Sequence, residues 1–208
     1  ARLSAAAGLR LLVLDYRLAP EHPFPQAIED AVTAYRWLLE NGFPNERIVI
    51  GGDSAGGGLA LQTLISIGDE GLTRPAAAVL MSPQADWVRF DGESYITRAD
   101  LDPLNTLEMC RFSADQYIGG QEPDLRLLAP VHADLSGLPP LCIHVGDHEI
   151  LLSDSTRLAE RARASGVDVE LKIWPGMWHV FQNCAGIVPE ARRSLEEIGR
   201  FVKAHTKA

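Results

Sequence analysis

Five short apolar runs constrain the fold of this chain more than any other feature. They are nearly continuous rather than alternating with polar residues, which is typical of strands covered on both faces, as in a parallel sheet. Patterns of helical period lie between most of them. The runs are Leu9–Tyr16, Arg47–Gly51, Ala76–Met81, Leu141–Val145 and Val169–Trp174. Strands that alternate with helices predict an α/β fold with a mainly parallel sheet.

Three amphipathic segments would supply helices to cover that sheet. Gln26–Glu40 carries apolar residues at helical spacing and is followed by Asn41-Gly42, a helix stop signal. A second segment runs to Ala164, with Ser153 or Asp154 as its candidate N-cap. The third helix is predicted from an apolar stripe made by Ala191, Leu195, Ile198 and Val202.

One stretch, Gln84–Pro140, breaks this alternation. It has no strand-like run, but it contains two or three helical pieces, among them Pro103–Tyr117. A structureless loop of this size is uncommon in a compact domain. We therefore predict a partly helical cap or lid over residues 84–140, which includes the return to the core, and an α/β core made by residues 1–83 and 141–208.

Composition excludes several classes of function. The 208 residues are 46% hydrophobic and 23% charged, as in an ordinary globular domain, and the net charge is −9. A negative balance argues against nucleic acid or an anionic membrane as the main partner. No apolar run reaches the ~20 residues that span a bilayer, and Ala5–Leu14 lacks a cleavage-site pattern. Neither membrane insertion nor a signal peptide is expected.

The cysteines and histidines give no metal or cofactor signature. Cys110, Cys142 and Cys184 are widely spaced and odd in number, which favours a reducing compartment and hence a cytoplasmic location. Cys142 lies in an apolar run and is expected to be buried. The successive residues Asp147–Glu149 offer three ligand types, but neighbours in sequence cannot readily converge on one ion. We predict no metal and no cofactor.

The pentapeptide Gly52–Gly56 reads G-D-S-A-G and lies between an apolar run and a helical pattern. In that context small residues allow a sharp strand-to-helix turn that exposes the serine hydroxyl. A Gly-rich turn could instead only connect two elements or bind a phosphate. Neither G-x-G-x-x-G nor G-x-x-x-x-G-K-[ST] occurs at this turn, which disfavours the phosphate interpretation. Ser54 is therefore a candidate nucleophile.

A serine nucleophile needs a base and a group that orients the base. His179 follows the last predicted strand, so it would reach the carboxyl edge of the sheet; a lone histidine beside Trp and Phe is otherwise most often a packed residue. Asp147 and Glu149 follow the preceding strand, and either could be the acid in the order Ser, acid, His. Both could instead be loop or helix N-terminal charges.

Four segments, in this order, resemble the hormone-sensitive-lipase-like family of α/β-hydrolase carboxylesterases, of the bacterial esterase type. They are Asp15–Pro25, Gly52–Gly57, Ala133–Pro140 and Gly176–Phe181. The resemblance covers essentially the whole chain. It implies an α/β-hydrolase fold with a helical cap, a nucleophile elbow at Ser54 and a base at His179. Arg17 and Glu21, in the first segment, are expected to pin a loop rather than to take part in chemistry.

The resemblance also bears on the acid. Family members often use the first Asp of an Asp-Pro-Leu-x-Asp motif, whereas this chain has Glu149-Ile-Leu-Leu-Ser-Asp154, which resembles the branch that uses a glutamate. Aligning the strand ends places Glu149 at the acid position and leaves Asp147 as the alternative. A glutamate there would hold the tautomer of His179 that directs Nε2 at the serine. Asp154 then becomes a helix cap or a structural partner.

Family members carry a His-Gly-Gly-Gly motif upstream of Asp15–Pro25, and its backbone N–H groups form most of the oxyanion hole. The sequence contains no such run and begins about where the helix after that motif should be under way. Of the implied donors, the Ala55 N–H is present. The first strands of the family fold are also missing, including the one between Leu9–Tyr16 and Arg47–Gly51. Those two strands are expected to close on each other, to recruit a second chain, or to leave the protein prone to aggregation.

The resemblance implies a serine carboxylesterase that hydrolyses short-chain acyl esters through a Ser54, Glu149 and His179 triad and an acyl-enzyme. The alternative is a catalytically impaired or non-catalytic small-molecule-binding member of the same fold, which the absent His-Gly-Gly-Gly run favours. The expected ligand is a small-molecule ester, and the family further implies a tendency to form a homodimer.

Overall fold

The computed structural model describes residues 2–206, which contain four strands and eight α-helices. The strands are β1 (Val49–Asp53), β2 (Ala77–Met81), β3 (Leu141–Gly146) and β4 (Val169–Trp174). The helices are α1 (Arg2–Ala7), α2 (Gln26–Glu40), α3 (Ala55–Asp69), α4 (Ser94–Thr97), α5 (Leu107–Ile118), α6 (Leu125–Leu128), α7 (Leu152–Ala164) and α8 (Pro189–His205). The bounds predicted for α2 agree with the structure.

The strands form one parallel sheet in the order β1-β2-β3-β4. Gly52 is in register with Leu80, Leu80 with Ile143, and Ile143 with Leu171. Neighbouring parallel strands require a crossover connection between them, which α3 and α7 supply after β1 and β3. All four carboxyl ends therefore lie at one edge of the sheet.

Both faces of the two central strands, β2 and β3, are covered, which explains their continuous apolar runs, whereas β1 and β4 are only partly buried. Val79 of β2 packs in a cluster with Ile198 of α8. The next residue, Leu80, points to the other face and packs in a cluster with Leu64 of α3 and Leu158 of α7. The predicted α/β architecture is confirmed.

The prediction of a strand at Leu9–Tyr16 is wrong. These residues have no regular secondary structure and pair with no strand within the described chain, and Val13 is 78% exposed. An apolar run becomes a strand only where a neighbour pairs with its backbone groups, and this run does not pair with β1, which was one of the expected alternatives. Leu14 and Tyr16 instead pack against the hydrophobic cluster that includes Ile28 of α2.

Several other boundaries differ from the predicted ones. The strand predicted at Arg47–Gly51 runs from Val49 to Asp53, because residues 45–47 form a 3₁₀ turn. Neither Ser153 nor Asp154 caps α7, since the helix begins at Leu152 and both residues lie buried inside its first turn.

The segment of residues 84–140 contains α4, α5, α6 and a 3₁₀ turn at Pro130–His132, and no strand. It packs on the core through Tyr117, whose ring centroid lies 6.0 Å from that of Phe24 and whose Oη donates to Gln62 on α3 at 2.9 Å. The division into a core and a cap stays a prediction. Within residues 2–206, no helix has the length and apolar character that crossing a membrane requires.

Candidate active site

Ser54 occupies a sharp turn between β1 and α3. Its φ of 54° and ψ of −123° are uncommon for a residue with a side chain, and its N–H donates to the Met81 carbonyl at 2.9 Å. The turn is tight enough that a Cβ at Gly52 would lie 2.1 Å from the carbonyl oxygen of Gly56. This backbone presents the serine hydroxyl at the carboxyl edge of the sheet.

Two of the predicted site residues, Ser54 and Glu149, lie within hydrogen-bond distance of the third, His179. The His179 Nε2 atom lies 2.8 Å from the Ser54 Oγ, and its Nδ1 atom lies 2.9 Å from the Glu149 Oε2. Glu149 is fully buried and His179 is 8% exposed. Because a carboxylate only accepts hydrogen bonds, Nδ1 carries the proton and the Nε2 lone pair faces the serine hydroxyl. This arrangement allows the imidazole to take the serine proton.

The second carboxylate oxygen of Glu149 is held by two donors that the sequence analysis missed. Glu149 Oε1 accepts from the Ser82 Oγ at 2.8 Å and from the Gly146 N–H. A Cβ on Gly146 would lie 2.2 Å from the Met177 carbonyl oxygen, so only glycine fits here. Both donors stand at the carboxyl ends of strands, and this position was the one signal that could have identified them.

Asp147, the alternative acid, is directed elsewhere. Its Oδ1 accepts from the Gly176 N–H at 2.6 Å, and its carbonyl accepts from the Arg98 Nε at 3.0 Å. Asp147 therefore links the loop after β3 to the turn that carries His179. The structure brings Glu149, and not Asp147, to the imidazole.

The Ala55 N–H is the first amide of α3 and directly follows Ser54. Amides in the first turn of a helix have no partner within the helix, and the positive end of the helix dipole lies there. Both properties suit an oxyanion that forms beside the nucleophile. The role of Ala55 as an oxyanion donor stays a prediction.

Asp154 is a structural partner rather than a helix cap. Its Oδ2 accepts from the N–H groups of Ala85 and Asp86, at 2.9 Å and 3.0 Å, and thereby ties α7 to the segment after β2. Burial raises the pKa of Asp154 to about 7; the two N–H bonds oppose this shift, and the nearby Asp86 charge adds to it.

The first of the four family-like segments is architectural, as predicted for Arg17. Its guanidinium binds the Asp30 carboxylate, with Nη2 2.8 Å from Oδ1, and Nη1 donates to the Gln26 side chain at 3.1 Å. The same carboxylate accepts from the Arg17 N–H at 2.9 Å. These bonds hold the loop before α2 against that helix, while Glu21 is exposed.

In the part of the chain that the structure describes, one grouping of acids and histidine is close enough to hold an ion: Asp86, Asp91 and His132. Arg157 lies against two of them, with Nη1 2.6 Å from Asp91 Oδ1 and Nη2 3.1 Å from His132 Nε2. The guanidinium supplies the positive charge that a cation would bring, so this grouping is an ion-pair network. Residues 147–149 form no comparable grouping among residues 2–206.

Residues 1–183 match the family described as alpha/beta hydrolase fold. An acetyl-hydrolase of Streptomyces hygroscopicus is 44% identical over 204 residues, which are 98% of this chain and 68% of that protein. An esterase of Acinetobacter venetianus is 35% identical over 200 residues, which are 96% of this chain and 66% of that protein. The chain thus spans about two thirds of the length of these relatives.

Solved structures agree with the sequence relatives. A crystal structure of an esterase from the bacterial hormone-sensitive lipase family is 46% identical and matches with a TM-score of 0.97, covering 100% of this chain and 69% of that one. The sequence resemblance and the predicted fold are therefore confirmed. The chain belongs to the hormone-sensitive-lipase-like family of α/β-hydrolase carboxylesterases.

Proposed function

We propose that this protein hydrolyses carboxylic esters of short acyl chains through an acyl-enzyme on Ser54. The observation that carries the proposal is the position of His179, whose two ring nitrogens lie within hydrogen-bond distance of the Ser54 hydroxyl and of the buried Glu149 carboxylate. The names of the relatives, an acetyl-hydrolase and an esterase, support it.

In the acylation step, Ser54 Oγ attacks the ester carbonyl carbon while its proton passes to His179 Nε2. The carbonyl oxygen becomes an oxyanion, for which Ala55 N–H is the donor that this chain supplies. During the whole step Glu149 accepts the hydrogen bond from His179 Nδ1–H and stabilises the imidazolium that forms. The C–O bond to the alcohol then breaks, and the alcohol leaves with the proton that His179 returns.

Deacylation repeats these roles with water as the nucleophile. His179 Nε2 takes a proton from water, the resulting oxygen attacks the acyl carbon, and the bond to Ser54 Oγ breaks with return of the proton to that oxygen. The carboxylic acid is then released. Acyl-enzyme chemistry therefore divides ester hydrolysis into two steps, which one histidine serves in turn.

The preference for short acyl chains rests on the relatives. The acetyl-hydrolase relative is named for a two-carbon acyl group and is 44% identical to this chain. A series of p-nitrophenyl esters from acetate to decanoate tests this preference. We expect kcat/KM to fall as the acyl chain lengthens, and a maximum at decanoate would contradict it.

The test of the proposed function is Ser54→Ala. We expect the variant to lose p-nitrophenyl acetate turnover and labelling by an organophosphate, the latter read as the mass added to the intact protein. Ser66→Ala, a half-buried serine on the same helix, is the matched control and should keep both. Turnover that survives in Ser54→Ala would overturn the assignment. Labelling without turnover in the natural protein would instead support the catalytically impaired alternative.

The cellular location and the oligomeric state stay predictions. The cytoplasmic location, inferred from three cysteines that the structure shows as free thiols, stays a prediction. The tendency to form a homodimer stays a prediction as well.

A further inference from the structure

Ser82 is a buried serine in an unusual backbone conformation. It directly follows β2, has no exposed surface and adopts a φ of 48°, in the left-handed region that favours glycine. Its N–H donates to the His144 carbonyl at 2.8 Å, which continues the pairing of β2 with β3. Glycine would avoid the conformational cost of this φ, so the presence of a serine points to a role for its hydroxyl.

The hydroxyl lies between the two loops that carry the acid and the base. Ser82 Oγ donates to Glu149 Oε1 at 2.8 Å and accepts from the Val180 N–H at 3.2 Å. Val180 is the residue next to His179 and also has a positive φ, of 48°. A single buried hydroxyl therefore contacts the carboxylate and the backbone of the turn that positions the imidazole.

We propose that Ser82 is a positioning residue of the esterase site, which holds the Glu149 carboxylate and the His179 turn at a fixed separation. The proposal rests on the proposed function. Glu149 Oε1 is occupied by Ser82 and Gly146, so Oε2 is left for His179 Nδ1. Without the hydroxyl, one buried carboxylate oxygen loses a donor and the Val180 N–H loses its acceptor. The carboxylate can then rotate away from the imidazole.

A purely structural role for Ser82 predicts a different outcome, and a pair of variants separates the two. Ser82→Ala and Ser82→Gly both remove the hydroxyl, but only glycine relieves the positive φ. Their stabilities should therefore differ while their catalytic defects match. We expect kcat for p-nitrophenyl acetate to fall about tenfold or more in both, with KM changed less than about twofold. If the loss of kcat is larger in whichever of the two variants is less stable in urea, and is not the same in both, the proposal is overturned.

Ser194→Ala is the matched control for loss of a buried, hydrogen-bonded hydroxyl. Ser194 is also fully buried, and its Oγ contacts His144 and Gln182 rather than the triad. We expect this variant to lose stability but to keep kcat. A drop in kcat equal to that of the Ser82 variants would show that any buried serine has this effect, and would overturn the proposal.

A spectroscopic readout does not depend on ester turnover. The proton on His179 Nδ1, held by the Glu149 carboxylate, should give a far-downfield proton resonance in the natural protein. We expect this resonance to shift or broaden in Ser82→Ala and Ser82→Gly, and to be unchanged in Ser194→Ala. If the Ser82 variants leave it unchanged, the positioning role is wrong. If the natural protein shows the resonance but hydrolyses no ester, the proposed function fails. The effect of the Ser82 variants on the resonance then still tests whether Ser82 positions Glu149.

Discussion

The Glu149 carboxylate lies 2.9 Å from the Nδ1 atom of His179, although the two residues come from different loops. The sheet explains the contact. Strands β3 and β4 are neighbours, and their ends coincide because Gly146 is in register with Trp174. The loops that follow these strands therefore start side by side at the carboxyl edge of the sheet, and the side chains of Glu149 and His179 meet there.

Glu149→Gln should lower kcat for p-nitrophenyl acetate by about 10³-fold or more. The amide keeps the shape of the side chain but removes the charge that holds the Nδ1–H tautomer of His179, and a comparable change in a serine protease has an effect near 10⁴. Steady-state kinetics at pH 7.5 would measure it.

Asp147→Asn is the control for that change. The amide oxygen of the substituted side chain can still accept from Gly176, as the Asp147 carboxylate does, so we expect kcat within about threefold of the natural protein. A large loss in Asp147→Asn together with a small one in Glu149→Gln would reverse the assignment of the acid.

The two glycines of the G-D-S-A-G motif should differ in their tolerance of substitution. A Cβ at position 52 would lie 2.1 Å from the carbonyl oxygen of Gly56, whereas a Cβ at position 56 would meet nothing within 4 Å. We expect Gly52→Ala to lower the free energy of unfolding by about 2 kcal/mol or more and to lose most activity, because the turn must open. Urea unfolding and kcat measure the two effects.

Gly56→Ala provides the comparison for that change. Alanine is the better helix former, and position 56 lies inside the first turn of α3. We expect the natural stability or a slightly higher one. An equal loss of stability in Gly52→Ala and Gly56→Ala would show that the space around Gly56 is smaller than the structure indicates.

Two buried groups should give opposite pH dependences of stability. The pKa of Asp154 is raised to about 7 from 3.8, so its contribution is present below about pH 4 and is lost as the pH rises toward 7. Burial lowers the pKa of His144 to about 4 from 6.5, with the Lys172 charge adding to it. That contribution is present above pH 6.5 and is lost as the pH falls toward 4. Between about pH 4 and 6.5, a rise in pH therefore lowers the free energy of unfolding through Asp154 and raises it through His144.

Asp154→Asn removes only the first slope. Relative to the natural protein, the free energy of unfolding of the variant should therefore increase as the pH rises from about 4 to about 7. Urea unfolding at pH 4.5, 5.5, 6.5 and 8, followed by tryptophan fluorescence, measures this difference. Parallel profiles for the two proteins would mean that Asp154 does not titrate in this range.

Local sequence patterns predicted the helices well, because a helix forms its backbone hydrogen bonds within its own segment. Helix α2 has the predicted bounds because its apolar period and its Asn41-Gly42 stop are properties of the segment itself. Leu9–Tyr16 shows the opposite case. Its composition suits a strand, but a strand also needs a neighbour with free backbone groups, and within the described residues this run has none.

The sequence by itself determined the alternation of strands and helices, the membership of the family, and the candidates Ser54, His179 and Glu149, because each follows from a local motif or from motif order. Only the tertiary structure brought Ser82 to Glu149, which are 67 positions apart, and Asp154 to the backbone after β2. Such contacts depend on strand order and register, which decide which loops start side by side. No local pattern of residues carries that information.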